Sequence, residues 1–303
     1  MRPTDRLLGP LLLSRTSIDR AAALRHDERW LEQAWAEEKT RVLVVHEGRT
    51  LIHRYGDGAA LVLLPPAEAP PGPRYLLGVD EDGVAYFAVR APLPPGEVTG
   101  LRRAAALLDD RDAGLFVYAV ALEEWHATHE YCPRCGTRTG VTAAGHVRVC
   151  PKDGSQHFPR VDPAVIMLVH DDEDRALLAR GPSWPEGRMS VLAGFVEPGE
   201  SLEHAVIREV KEEAGITVTD PRYLGSQPWP FPRSLMLGFF ARAVTTELHP
   251  DPAEIAEARW VTREELAAAL DAGELALPPQ VSIARRLIET WYGGPLPGAG
   301  TWR

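Results

Sequence analysis

Glu209 and Glu213 stand four residues apart in a run of helix-forming residues from Ser201 to Ala214. At about 100° per residue they lie one turn apart and roughly 40° apart around the helix, beside an apolar stripe of Val206, Val210 and Ala214. Like charges at that spacing repel by a few tenths of a kcal/mol on an exposed helix, and by more when partly desolvated. A divalent cation removes the penalty, and oxygen donors suit Mg²⁺ or Mn²⁺ with substrate phosphates completing the coordination. Glu212 stands beside the pair, and Glu200, at the end of the preceding loop, is within reach. Gly194 permits close backbone approach, Pro198-Gly199 supplies a tight turn and Gly215 is expected to cap the helix. A solvated acidic face is the alternative reading of any Glu-rich helix.

Two further stretches carry chemistry. In Ser226-Gln-Pro-Trp-Pro-Phe-Pro-Arg-Ser234 three prolines stiffen the chain and cannot donate to a central sheet, so the segment is expected to turn away from the core. Trp229 and Phe231 are then held for stacking on flat bases, with Gln227 and Ser234 offering hydrogen bonds; a packed corner is the plainer alternative. The three cysteines all fall between 132 and 150. Cys132 and Cys135 form a knuckle able to share a tetrahedral zinc ion with Cys150, and Asp153 or His157 is the candidate fourth ligand. Such a site is structural, and a relic ribbon without metal is its alternative.

The spacing Gly194, Glu200, Arg208-Glu209-Val210, Glu212-Glu213, Gly215-Ile216 resembles the Nudix box at every fixed position. Ten residues further on, the run from Ser226 to Ser234 resembles the SQPWPFPxS signature of the NADH pyrophosphatase family. The resemblance covers residues 131 to 291 well and the first 128 loosely. It implies an α/β/α sandwich (the Nudix fold) that hydrolyses the diphosphate bond of NADH or NAD to nicotinamide mononucleotide and AMP, with NAD-capped RNA as a second substrate class. It implies that Glu209, Glu213 and the Ala193 carbonyl hold Mg²⁺ or Mn²⁺, that Arg208 orients a glutamate, and that Glu212 is a further ligand or base. Glu200 completes the catalytic set, and Glu254 is one more acidic ligand unless it is a surface carboxylate. The substrate loop comprises Gln227, Pro228, Trp229, Pro230, Phe231, Pro232, Arg233 and Ser234, and Ala284 adds a backbone contact. The family type is a homodimer in which aromatic residues sandwich the nicotinamide. Phe195 and Phe158 match those positions, Phe158 standing where tyrosine is common, and either reads equally as core. The family ribbon carries a fourth cysteine where this chain has Asp153. A broader hydrolase of ADP-ribose or other nucleoside diphosphates, a non-cutting nucleotide sensor and an RNA-binding ribbon protein are the competing readings; the intact glutamate set weighs against the sensor.

These residues need a scaffold. The 303 residues suggest an N-terminal α+β domain (1–128), a zinc-ribbon module (129–159), a hydrolase domain (160–292) and a mobile Gly/Pro tail (293–303). A charged helix is expected near Asp27 to Glu38, strands at 41–45, 60–64, 75–79 and 84–89, and helices at 99–108 and 113–129. Strands follow at 164–169, 174–180, 188–193, 223–227 and 235–244, with helices at 201–214, 263–270 and 280–291. A net charge of -10 argues against a general grip on nucleic-acid backbones, although Arg134 to Arg148 is locally basic. No segment approaches the roughly 18 apolar residues of a membrane helix. The run Leu7 to Leu13, broken by Gly9 and Pro10, is not read as a signal peptide, so the cytoplasm is the expected compartment.

Overall fold

The computed structural model describes residues 7–9 and 11–298. Two compact units emerge: one holds Leu13–Val161 with Pro228–Arg233, the other the chain before Leu13, Asp162–Gln227 and Ser234 onward.

In the first unit, α1 (Glu28–Ala36) begins where the Asp27 side chain accepts the Trp30 amide, a capping bond that satisfies an orphan donor. There follow β1 (Arg41–Val45), β2 (Arg49–Tyr55), β3 (Gly58–Leu61), β4 (Leu63–Leu64), β5 (Arg74–Val79), β6 (Ala85–Arg90), β7 (Glu97–Gly100), α2 (Leu101–Ala104) and α3 (Asp110–Thr128). They form two sheets, ordered β4-β1-β6-β5 and β3-β2-β7. β2 escapes the sequence reading, because His53, Arg54 and Tyr55 break its apolar run, while its hairpin partner β3 overlaps the strand expected at 60–64. The helix expected at 99–108 is instead the end of β7 and a single turn, α2, since Gly100 breaks the helical pattern. A three-stranded ribbon of β8 (Gly140–Thr142), β9 (Val147–Val149) and β10 (Gln156–His157) completes the unit.

The second unit contains β11 (Asp162–His170), β12 (Ala176–Arg180), β13 (Leu192–Phe195), α4 (Leu202–Ala214), β14 (Val218–Trp229), β15 (Ser234–Ala243), β16 (Glu257–Val261), α5 (Arg263–Asp271) and α6 (Ile283–Tyr292). The sheet order is β14-β15-β11-β12-β16, with β13 also paired to β11. Successive side chains of a strand point to opposite faces, and β11 uses both. Val165, Met167 and Val169 pack in one core with Val206, Val210 and Ala214 of α4; Ile166 and Leu168 pack in the other with Leu266 of α5 and Leu287 and Ile288 of α6. The result is the expected α/β/α sandwich. Val206 and Val210 are wholly buried, each contributing about 1.5–3 kcal/mol. That burial sets the rotation of α4 and brings its acidic side chains to the sheet.

Two expectations need correction. Pro228 lies within β14 rather than in a loop, a position open to it because β14 is an edge strand; only the tip from Pro230 to Arg233 turns. The expected tail is packed at its start, where Leu296 is buried against the α5 and α6 core. Residues 299–303 of that tail lie outside the described residues.

Candidate metal and substrate site

The strand β13 and the helix α4 build the acidic centre. Ser201 caps α4 by accepting the His204 amide, and Gly215 ends the helix in the left-handed region at φ 75°. Gly194, on β13, faces the Glu209 carboxylate so closely that a Cβ there would lie 1.8 Å from Glu209 Cδ. Only glycine leaves room for the acid.

Arg208 ties the cluster together. Its Nε and one terminal nitrogen grip Glu200 at 2.8 Å each, the same terminal nitrogen reaches the Phe195 carbonyl at 2.9 Å, and the other donates to Glu209 and Glu212 at 2.9 Å. This fork holds the Glu200 carboxyl well below the usual carboxylate range.

Glu209 and Glu213 are each 8 % exposed. Burial raises Glu209 above its ordinary pKa despite Arg208. Glu213 is pushed up to about 8, first by burial and then by the charges of Glu209 and Glu254, while a backbone hydrogen bond with Ala193 pulls the other way. Its Oε2 is buried without a hydrogen-bond partner among the described residues. Glu254 is exposed, on a turn anchored to α4 by the Asp251 amide donating to the Glu213 carbonyl at 3.2 Å. A buried, unpaired carboxylate oxygen among like charges, with only hard oxygen donors around it, fits a divalent cation. The structure therefore brings together Ala193, Glu200, Arg208, Glu209, Glu212, Glu213 and Glu254.

The other expected site residues fall differently. Gln227 is fully buried, its Nε2 donating to the Val281 carbonyl at 2.9 Å, so that amide N–H holds the core rather than a ligand. Ala284 is buried and its amide is capped by Ser282 Oγ at 3.2 Å. Phe195 is 59 % exposed and Phe158 61 % exposed, so neither is core. Trp229 and Phe231 meet edge to face at 5.0 Å between centroids, with Arg102 stacked 4.2 Å over Phe231 and 5.3 Å from Trp229. Pro230, Phe231 and Pro232 line a cavity of about 720 Å³ with Arg49, Arg102 and Arg103. Arg102 was invisible as a partner of the aromatic motif because more than a hundred residues separate them. Pro228, Arg233 and Ser234 are partly buried around this tip.

In the ribbon, ligand atoms of Cys132, Cys135, Cys150 and Asp153 all lie within 4.8 Å of one another. The Cys135 and Cys150 sulfurs are 3.5 Å apart, and Cys132 Sγ is 3.8 Å from Asp153 Oδ2. Two matching knuckles aim them: the Gly136 amide donates to the Cys132 carbonyl and the Gly154 amide to the Cys150 carbonyl, both at 2.9 Å. Asp153 thus takes the fourth corner that sequence left open, while His157 Nε2 pairs with Ser155 Oγ at 3.1 Å. Three thiolates and one carboxylate at such separations fit tetrahedral zinc.

Three family models match the chain: the NUDIX domain at residues 160–280, the NADH pyrophosphatase zinc ribbon domain at 127–158, and the NADH pyrophosphatase-like rudimentary NUDIX domain at 39–125. The NAD-capped RNA hydrolase NudC of Mycobacterium bovis (strain BCG / Pasteur 1173P2) is 46% identical over 303 residues, covering 92% of this chain and 94% of its own length. The NAD-capped RNA hydrolase NUDT12 of Homo sapiens is 41% identical over 196 residues, 61% of this chain and 42% of that one. A crystal structure of a NUDIX hydrolase from Nitrosomonas europaea aligns with 57% of this chain and 98% of its own at 22% identity and a TM-score of 0.43.

Proposed function

Since the chain belongs to the NADH pyrophosphatase family of Nudix hydrolases, we propose that it hydrolyses the diphosphate of NADH and NAD to nicotinamide mononucleotide and AMP, and removes NAD caps from RNA. The Glu209–Glu213 pair carries this reading, with the Gly194 backbone against one acid and an unpaired Oε2 on the other. Glu209, Glu213, Glu254 and the Ala193 carbonyl would hold Mg²⁺ or Mn²⁺. Bound divalent cations would neutralise the diphosphate and make a water nucleophilic near neutral pH.

The chain's own residues do the rest. Arg208 fixes Glu200, Glu209 and Glu212 in one array, so the acids meet the substrate without reorganising. Glu200 is gripped by two bonds and Glu212 by one, at an exposed position, which leaves Glu212 the freer carboxylate to take the proton of the attacking water. Exposed Phe195 and Phe158 are the aromatic faces for the nicotinamide, and their exposure together with that of Val161 supports a homodimer. Zinc at the three cysteines and Asp153 is structural, with no position left open for chemistry. Three free cysteines suit a reducing cytoplasm, and among the described residues no helix is long and apolar enough to cross a membrane.

Purified protein with Mn²⁺ or Mg²⁺ should release AMP from NADH and 5′-monophosphate RNA from NAD-capped RNA, followed chromatographically beside ADP-ribose. Absence of AMP from NADH, in protein shown to be folded, overturns the reading; faster turnover of ADP-ribose transfers it to the broader substrate class.

A further inference from the structure

A second cavity, of about 460 Å³, opens in the N-terminal unit between β5, the end of α3 and the ribbon, and three arginines line it: Arg90, Arg138 and Arg148. Arg148 is 5 % exposed. Its guanidinium is spent on uncharged acceptors: Thr139 Oγ1 at 2.7 Å, His126 Nδ1 at 2.9 Å, the Thr139 carbonyl at 3.1 Å and the Glu130 carbonyl at 3.5 Å. No carboxylate ion-pairs with it among the described residues. The charge of Glu130 reaches it, yet a buried cation with no direct ion pair is costly.

A second polar group points the same way. Tyr75 is 1 % exposed and clamped, its ring stacked on His126 at 4.4 Å and 7°. Gly145 packs against the same ring, where a Cβ would come within 2.5 Å of Tyr75 Cδ1. Tyr75 lines the cavity, its hydroxyl makes no hydrogen bond among the described residues, and the charges of Arg90 and Arg148 reach that hydroxyl, opposed by those of Glu123 and Glu130. The one acid lining the cavity, Glu130, is paired with Arg138 at 3.2 Å. Among the described residues Arg90 ion-pairs with Glu123 alone, at 3.9 Å, and the oxygens of Glu123 already accept the Glu47 and Gly48 amides. The lining is thus donor-rich and locally cationic in a chain of net charge -10.

We propose that this cavity is a phosphate-binding site, separate from the carboxylates of α4, which takes the phosphate of a nucleotide or the phosphodiester of an RNA strand on Arg90, Arg138 and the Tyr75 hydroxyl, with Arg148, its donors already engaged, supplying charge behind them. Guanidinium forks match phosphate oxygens, and the phenolic hydroxyl adds a directed donor. The site does not depend on the hydrolase reading, because none of these residues touches the acidic centre's ligand set.

The test uses the full-length protein without added divalent cations, as wild type and as Tyr75→Phe, Arg90→Gln and Arg138→Gln. Tyr75→Phe keeps the ring stack on His126, and Arg90 and Arg138 are partly exposed at their side chains, so three independent variants guard against misfolding; circular dichroism checks each. Two probes are used: a fluorescein-labelled, uncapped single-stranded RNA read by anisotropy, and inorganic phosphate read as protection against thermal unfolding relative to chloride at matched ionic strength. If the ligand is RNA, each arginine variant weakens RNA binding about tenfold and lowers the log–log salt slope by about 0.7, as loss of one phosphate contact on a single strand requires. If it is a small phosphate, protection disappears in the folded variants while RNA binding is unchanged. Hydrolysis of free NADH stays at the wild-type rate in either case. Folded variants that match wild type in both measurements overturn the proposal.

Discussion

Each unit buries two carboxylates on its principal helix, and treats them in opposite ways. On α3, Asp112 accepts the Leu61 amide at 2.8 Å and Arg111 Nε at 2.9 Å, and Glu123 accepts the Glu47 and Gly48 amides at 2.7 and 2.8 Å. On α4, among the described residues, Glu209 has only Arg208 as a side-chain partner, and Glu213 keeps an oxygen with none. A buried acid whose lone pairs are taken by backbone amides is part of the scaffold; one left short among like charges waits for a cation. Burial alone, similar at all four, does not separate the two cases.

The sharpest way to break this contrast is Glu213→Gln. Removing a ligand of the cation that stabilises the transition-state charge costs several kcal/mol, so kcat on NADH should fall roughly a thousandfold or more. Folding should survive, and Tm measured without divalent cations should not drop, because the amide removes a charge the protein buries unpaired. An active Glu213→Gln enzyme would end the assignment. Next in size is Gly194→Ala. The added Cβ cannot coexist with the Glu209 carboxylate, which must swing away by an ångström or more. A displacement of that order costs about a hundredfold in kcat. Wild-type turnover would mean that Glu209 does not need its observed place.

The opposite outcome is expected on α3. Glu123→Ala leaves two amides of the Glu47-Gly48 turn without acceptors, at about 1–3 kcal/mol for a buried group. Glu47 already sits at φ 50°, and Gly48 is exposed enough for water to return, so a net loss of about 2 kcal/mol is expected from urea denaturation, with kcat unchanged. If Glu123→Ala instead abolished hydrolysis while leaving stability intact, the division into scaffold acids and reactive acids would fail.

What could be read from sequence follows from how local the interactions are. Every member of the acidic array except Glu254 lies between Ala193 and Glu213, so helical periodicity and one glycine were enough to assemble it. The continuous apolar run at 164–169 likewise announced β11 as a strand. Glu123 and Arg148 were illegible, since their partners lie 76 residues away in one case and on a different element in the other. The bond from Gln227 to the Val281 carbonyl was illegible, because a polar side chain inside a substrate motif looks the same whether or not part of it faces the core. Asp153 was read correctly as a candidate because knuckle spacing constrains it; only geometry could prefer it to His157.

The smallest effect tests whether the polar groups of the N-terminal unit are as fully matched as its acids. His126 Nε2 faces the Gly145 carbonyl at 2.9 Å while its Nδ1 faces Arg148; His146 Nε2 faces the Leu76 carbonyl at 2.8 Å while its Nδ1 faces the Tyr118 hydroxyl at 3.2 Å. Each ring is therefore the neutral tautomer that donates from Nε2 and accepts at Nδ1. Burial lowers both from 6.5 to about 4, although the backbone bonds pull upward. The unfolded chain then binds more protons than the folded one between those values, so the stability these rings contribute is complete above about pH 6.5 and is lost as pH falls toward 4. Between pH 7 and 5.5 the loss should be roughly 1 kcal/mol per ring. Hydrogen exchange at the two pH values, corrected for intrinsic rates, should show α3 losing protection. Protection in α3 that stays flat across this interval would mean that the rings accept protons in the fold, and that the N-terminal unit tolerates a mismatch its acids do not show.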